Sequence, residues 1–187
     1  MNDNNIFADI ESTGLDSASS QLVAIGISDG INRNILFVNN SNEEKKVIED
    51  FFSFLSNFKQ NLGEPRIITY YGSYYDIPFI ISSALHLGVD VKKYKIFPFR
   101  QIDVYDIVKR TLKLSKNSMG DICRFLHINK EFMIEGRDMP NFYLKAISGD
   151  EQLKEKIKNH LTDDVKTLEE IWKILIPVIN VERWEKS

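Results

Sequence analysis

Ile6-Phe7-Ala8-Asp9-Ile10-Glu11 is an apolar run broken by two carboxylates. Its beginning reads as a buried β-strand. Asp9 is the residue out of place, because an ionised carboxylate among Ile6, Phe7, Ala8 and Ile10 is costly without a partner. Side chains alternate between the two faces of a strand, so Asp9 and Glu11 share one face and can hold one metal ion. The triplet alone is a weak signal. Its ordinary reading is a turn or helix cap at Glu11-Ser12-Thr13.

Outward from this stretch, Leu22 to Ser28 and Ile35 to Asn39 read as two more strands, with a hairpin signal at Asp29-Gly30. Ser41 followed by Glu44 has the form of a capping box. It would open a helix carrying Val47, Ile48, Phe51, Phe52 and Leu55 on its apolar side. Arg66 to Tyr71 predicts a fourth strand, and Asp76 to Leu87 a helix that tolerates Pro78 in its first turn. A short extended piece follows near Ile96 to Ile102, and helices are predicted over 104–114, 117–127, 140–148 and 151–176. Strands joined by hairpin-length turns, then strands alternating with helices, imply an α/β fold. Its sheet is mixed, three antiparallel strands followed by parallel ones, and is flanked by helices.

No repeat, low-complexity tract or Pro/Gly-rich linker divides the 187 residues, so 1–187 reads as one domain. No apolar run approaches the ~20 residues of a membrane span, and the N-terminus lacks the pattern of a signal peptide. The single cysteine, Cys123, allows no internal disulfide, which suits a reducing compartment and a cytoplasmic location. A net charge of −3 argues against broad electrostatic binding of duplex nucleic acid. It leaves room for a small groove that takes a strand end.

On the last predicted helix the apolar stripe is Ile157, Leu161, Leu168, Ile171 and Leu175. Asp164 lies in register with that stripe, whereas Asp163 turns about 100° away and is expected on the polar face. An inward carboxylate needs a cation or hydrogen-bond donors; a satisfied core carboxylate is the plain alternative. His160, four residues before Asp164, shares its face. It can reach the same site as a general base, with an ordinary pKa near ~6.5. Asp76 follows the aromatic run Tyr70-Tyr71-Gly72-Ser73-Tyr74-Tyr75 where strand gives way to helix, a place for a cap or a cleft residue. Among Tyr71, Tyr74, Tyr75 and Phe79, one or two can stack on a terminal base.

Phe7-Ala8-Asp9-Ile10-Glu11-Ser12-Thr13-Gly14-Leu15 resembles the first motif of the DEDD exonucleases, the superfamily of proofreading exonucleases. Tyr71-Gly72-Ser73-Tyr74-Tyr75-Asp76-Ile77-Pro78-Phe79 resembles the second, in the form found in family B DNA polymerases and their stand-alone relatives. His160-Leu161-Thr162-Asp163-Asp164-Val165 resembles the third. The connecting segments Ile102-Asp103-Val104-Tyr105-Asp106 and Ser118-Met119-Gly120-Asp121-Ile122-Cys123 are also similar to that group's. The motifs occur in the expected order over most of the chain. Two departures stand out. Tyr71 replaces a common asparagine, and His160 stands at the four-residue spacing that a tyrosine has in the family.

The resemblance implies an RNase H-like fold and 3′→5′ exonuclease activity, with roles in proofreading or DNA repair. It implies two Mg²⁺ or Mn²⁺ ions held by Asp9, Glu11, Asp76 and Asp164, with His160 as general base. Thr13, Gly14 and Leu15 would contact the terminal nucleotide, joined by Tyr75 and Phe79. The expected partner is a nucleic-acid 3′ end, single-stranded, with DNA favoured. Other readings are an RNA-directed exonuclease, a catalytically weak binding subunit that keeps the fold, and a phosphohydrolase of small nucleotides.

Other residues are given ordinary places. His86 and His127 lack ligand-spaced neighbours, Cys123 and Trp172 read as core, and Trp184 as a docked tail anchor. Asp103 and Asp106 read as caps, and Lys109 to Lys116 as a solvated basic face that can also steer a phosphate backbone.

Overall fold

The structure, a computed structural model, describes residues 4–98 and 100–180; Trp184 lies outside them. The strands are β1 (Asn5–Ser12), β2 (Leu22–Ser28), β3 (Arg33–Phe37), β4 (Arg66–Thr69) and β5 (Arg100–Asp103). They form one sheet in the order β3-β2-β1-β4-β5. β1, β2 and β3 pair antiparallel, while β4 and β5 continue in parallel from β1. The helices are α1 (Glu44–Leu62), α2 (Asp76–His86), α3 (Val104–Thr111), α4 (Met119–Leu126), α5 (Met139–Ile147) and α6 (Glu151–Leu175). This is the mixed, helix-flanked α/β sheet expected of an RNase H-like chain.

β1 lies at the centre, and its alternation sorts the two sides of the sheet. Ile6, Ala8 and Ile10 join the core built with Ile48, Phe51 and Phe52 of α1 and Ile77 and Ile80 of α2. Phe7 instead joins Ile68, Val165 and Leu168 on the side of α3, α4 and α6. Asp9 and Glu11 follow Phe7 at period two and therefore face α6. The predicted stripe Ile157, Leu161, Leu168, Ile171 and Leu175 is buried throughout. α6 packs across β1, β2 and β3. Gly26, the partner of Asp9 in the ladder, permits this approach. A Cβ there would stand 2.8 Å from Val165 Cγ2 and 2.9 Å from Leu161 Cγ. The missing side chain draws α6, and Asp164 with it, down onto β1.

Several local expectations are corrected. β3 begins at Arg33 and ends at Phe37, two residues earlier than expected, because Ser28 pairs with Arg33. The Asp29 carboxylate accepts from the amides of Ile31 (2.9 Å) and Asn32 (2.7 Å), fixing the turn. β4 ends at Thr69, because Tyr71 takes a left-handed φ of 65°. The box at Ser41 and Glu44 does not form. Asn40 caps a single 3₁₀ turn by accepting from Asn42 N, and Glu44 is buried, where it accepts from Leu22 N at 3.1 Å. α3 stops at Thr111, and α4 begins at Met119 behind a capping box made by Ser118 and Asp121. No helix among the described residues is long and apolar enough to cross a membrane.

Candidate active site

Three elements bring the expected carboxylates together. β1 carries Asp9 and Glu11 beyond the point where β4 stops pairing with it, at Phe7 and Ile68. The vacated edge of β1 is taken up by Asp76, the first residue of α2, whose Oδ1 accepts from Ile10 N at 3.0 Å. Asp76 thus does not serve α2 as its N-cap; it ties α2 to the strand that bears Asp9 and stands beside the Asp9 carboxyl. α6 brings His160 and Asp164 over the same face. A register shift between Glu11 and Ser12 then turns the chain out of the ladder, a device common beside active sites.

The ligand atoms of Glu11, His160 and Asp164 all lie within 4.8 Å of one another. His160 Nε2 is 3.1 Å from Glu11 Oε1 and 3.6 Å from Asp164 Oδ2. Its Nδ1 is 3.2 Å from the Phe132 carbonyl. A carbonyl only accepts, so Nδ1 carries a proton and Nε2 is the nitrogen turned to the acids. The four-residue spacing therefore leaves His160 inside the site.

The electrostatics show an excess of negative charge. Removal from solvent raises the Asp9 pKa well above the usual carboxylate range, and the neighbouring charges of Asp76, Asp164 and Glu11 raise it further. Burial likewise pushes Asp76 up to about 7, against the pull of the hydrogen bonds it accepts. Burial alone would lower the His160 pKa, but its hydrogen bond to Glu11 and the charges of Asp164 and Glu11 outweigh that and raise it.

Two residues of this site were not expected from sequence. Lys130 reaches from the segment between α4 and α5 and pairs its ammonium with Asp164 Oδ1. A lysine in an aperiodic segment, thirty-four positions before its partner, carries no local signal. The second is Asp163, which corrects an expectation: it is buried at 5% exposure and does not face solvent. Its Oδ2 accepts from the amides of Glu131 (3.0 Å) and Phe132 (3.1 Å). The helical rotation that turns Asp163 away from Asp164 is right, but the segment carrying Lys130 folds over that face. Asp163 and His160 together pin this segment to α6.

Beside the carboxylates lies a cleft of about 510 Å³, lined by Glu11 to Leu15, Tyr75, Gly136, Arg137 and Pro140. Leu15 stands 86% exposed at its mouth. Tyr75 hydroxyl contacts Ser12 Oγ and Gly14 O, fastening the Thr13-Gly14-Leu15 turn to α2. Phe79 is 3% exposed and packs beneath Tyr75 with ring centres 5.7 Å apart, so it supports the cleft and offers it little surface. Asp103 accepts from Tyr105 N as the cap of α3, as expected. Asp106 is not a cap; it accepts from the Tyr74 hydroxyl at 3.0 Å. His86 and His127 lie on the surface, and Cys123 and Trp172 are core.

Comparison with known proteins places this geometry. An uncharacterized protein of Methanocaldococcus jannaschii is 28% identical over 172 residues, covering 90% of this chain and 93% of that one. The structure of the family B DNA polymerase from the hyperthermophilic archaeon Pyrobaculum calidifontis superposes with a TM-score of 0.76 at 17% identity. That match covers 92% of this chain and 24% of the polymerase, so the chain spans about a quarter of that protein's length. Residues 6–176 match the family described as RNase_H superfamily. With the sheet and the acidic cleft both inside that match, the chain belongs to the RNase_H superfamily, and its fold supports a nuclease-type, hydrolytic function on nucleic acid.

Proposed function

We propose that this chain is a metal-dependent 3′→5′ exonuclease that removes nucleoside 5′-monophosphates from single-stranded nucleic acid, with DNA favoured. The observation that carries the reading is the meeting of Asp9, Glu11, Asp76 and Asp164, from β1, α2 and α6, beside a cleft of nucleotide size. The donor set fits a divalent cation. Four carboxylates gather where Lys130 and His160 are the cationic partners in contact, and the pKa values of Asp9 and Asp76 are raised by burial, a rise that a cation would oppose. Asp9, Glu11, Asp76 and Asp164 would hold Mg²⁺ or Mn²⁺, since oxygen donors suit hard cations. Two such ions, when bound, acidify a water nucleophile and stabilise the departing 3′ oxygen.

The chain's own residues supply the rest. With Nδ1 committed to Phe132 O, His160 presents Nε2 as the base that takes the water's proton. Lys130, released from Asp164, offers its ammonium to the scissile phosphate. The Thr13-Gly14-Leu15 turn, held by Tyr75, orients the terminal sugar and sets Leu15 against the base. This activity is assigned to residues 1–187 as one domain working in the cytoplasm; a part in proofreading or repair rests on likeness to a polymerase fold.

A second arrangement has its own observation. Because the His160 ligand atom falls within 4.8 Å of those of Glu11 and Asp164, His160 would serve as a third ligand instead of a base. His160→Ala separates the two: slowed turnover with intact Mn²⁺ affinity supports the base, and lost affinity supports the ligand. The activity itself is tested with 5′-labelled single-stranded DNA and RNA in Mg²⁺ or Mn²⁺, alongside Asp9→Ala. The expected result is a ladder shortening from the 3′ end, faster on DNA and absent in Asp9→Ala. Cleavage of neither polymer would leave a binding subunit; faster cleavage of RNA would make the chain an exoribonuclease.

A further inference from the structure

Tyr71, Tyr74 and Tyr105 lie outside the carboxylate site, yet they are arranged with unusual care. Tyr71 is a bulky residue in the left-handed region, φ 65°, a conformation that such residues avoid. Strain of this kind persists only where the surroundings enforce it, and it gathers at functional positions. Here Asp103 enforces it by accepting from Tyr71 N at 2.8 Å and Ser73 N at 2.8 Å. Gly72 lets the chain fold back on β4, since a Cβ there would stand 2.5 Å from Thr69 Cβ. The outcome is to hold the Tyr71 ring outward, 48% exposed and stacked on Tyr74, itself 54% exposed, at 5.0 Å and 28°. Tyr105 meets the Tyr71 ring edge-on at 5.0 Å. A buried core would hide these rings; this loop presents them.

Tyr71 and Tyr105 border a hollow of about 420 Å³ whose other walls are Tyr70, Asn117, Ser118 and Met119. The Asn117 side-chain oxygen has no hydrogen-bond partner. The rim is basic: Lys109 Nζ lies 5.8 Å from the Tyr105 ring centre, and Lys113 and Lys116 are exposed on the segment leading to Asn117. A succession of shared and touching residues leads from the proposed active site to the shelf. The nucleotide-sized cleft shares Leu15 and Tyr75 with a smaller groove, that groove is walled by Tyr74, and Tyr74 stacks on Tyr71. Aromatic rings with cations beside them suit the bases and phosphates of a single strand, whatever its sequence.

We propose that the Tyr71–Tyr74–Tyr105 shelf is an upstream subsite, stacking bases that lie on the 5′ side of the nucleotide being removed. This rests on the exonuclease reading for its orientation. It makes the chain an enzyme for strands several nucleotides long, and it gives Tyr71, where related motifs carry asparagine, a role of its own. Dinucleotides reach the cleft but not the shelf.

The test compares single-stranded deoxyoligonucleotides of two to ten nucleotides in wild type and in Tyr71→Asn and Tyr105→Leu. It measures kcat/KM, and also the affinity of a 5′-labelled octamer by fluorescence anisotropy without added metal. Asparagine accepts the left-handed conformation, so the Tyr71→Asn thermal midpoint should equal or exceed wild type. The octamer should outrun the dinucleotide by about tenfold or more in wild type, the scale of one base–aromatic stack. Each variant should shrink that advantage about tenfold and weaken octamer binding to match. Octamers lacking one upstream base should do the same in wild type. Equal kcat/KM at all lengths, or variants that keep the full length advantage and affinity, would overturn the shelf while sparing the exonuclease. Absent cleavage with tyrosine-dependent octamer binding would do the reverse.

Discussion

Asp103 and Asp76 are both buried, at 1% and 5% exposure, and both stand at a helix start, Asp103 before α3 and Asp76 as the first residue of α2. Asp103 accepts three amides, those of Tyr71, Ser73 and Tyr105, at 2.8, 2.8 and 3.0 Å. Burial raises its pKa, and those donors oppose the rise without cancelling it. Asp76 accepts from Ile10 N and lies against another acid, Asp9; burial pushes Asp76 up to about 7 although the hydrogen bond with Asp9 pulls it down, and Asp76 in turn raises Asp9. The first carboxylate is answered by the protein's own donors and belongs to the frame. The second crowds a neighbouring acid, and on the proposed function that crowding is relieved by a bound cation. α6 repeats the contrast one residue apart. Asp163 is answered by two amides, whereas Asp164 is answered by the side chains of Lys130 and His160, which can move away.

The sharpest way to break this comparison is on α6. Asp164→Ala should lose turnover to background, while Asp163→Ala should lose about 10–100-fold, as expected for a group that orients others. Single-turnover cleavage of a labelled single strand measures both. Background activity in Asp163→Ala with Asp164→Ala still active would invert the assignment. Next in size is Asp103→Ala. It leaves three amides without an acceptor and should cost about 3 kcal/mol in chemical denaturation, with Mn²⁺ affinity retained. Lost metal affinity in a folded Asp103→Ala protein would erase the distinction between frame and site.

The smallest effect is a pH dependence. In the metal-free protein Asp9, Asp76 and His160 all have pKa values raised by folding. Their stabilisation is complete below the unfolded values, ~4 for the acids and ~6.5 for the imidazole, and is lost as pH rises through the folded ones. The thermal midpoint should therefore fall by a few degrees from about pH 5 to about pH 8. Asp76→Asn should flatten that fall, and saturating Mn²⁺ should abolish it. A midpoint that rises over the same range would mean that the acids are not crowded as described.

What the sequence revealed follows the same divide. Asp9 and Asp164 were legible because each breaks an apolar period, and a charge set in such a period is a contradiction that names itself. The sheet was legible because strand alternation and helical periodicity are local. Asp163 was misjudged because a helical wheel gives direction but not cover: what buries it is the segment after α4, which has no period to read. Lys130 was missed for that reason, and the Ser41–Glu44 box failed because Glu44 is drawn to the Leu22 amide, a tertiary contact. The strained Tyr71 was equally invisible, since its φ is imposed from β5 by Asp103.

If the acids of β1, α2 and α6 form one divalent-metal site, Mn²⁺ titration calorimetry at neutral pH will show it. Run in two buffers of different ionisation heat, it also counts released protons. The wild type should bind with proton release, because burial raises the pKa values of Asp9 and Asp76 and a bound ion favours their ionised forms. Asp163→Ala should behave in the same way, and Asp164→Ala should not bind. No binding by the wild type, or equal affinity in Asp164→Ala, would contradict such a site.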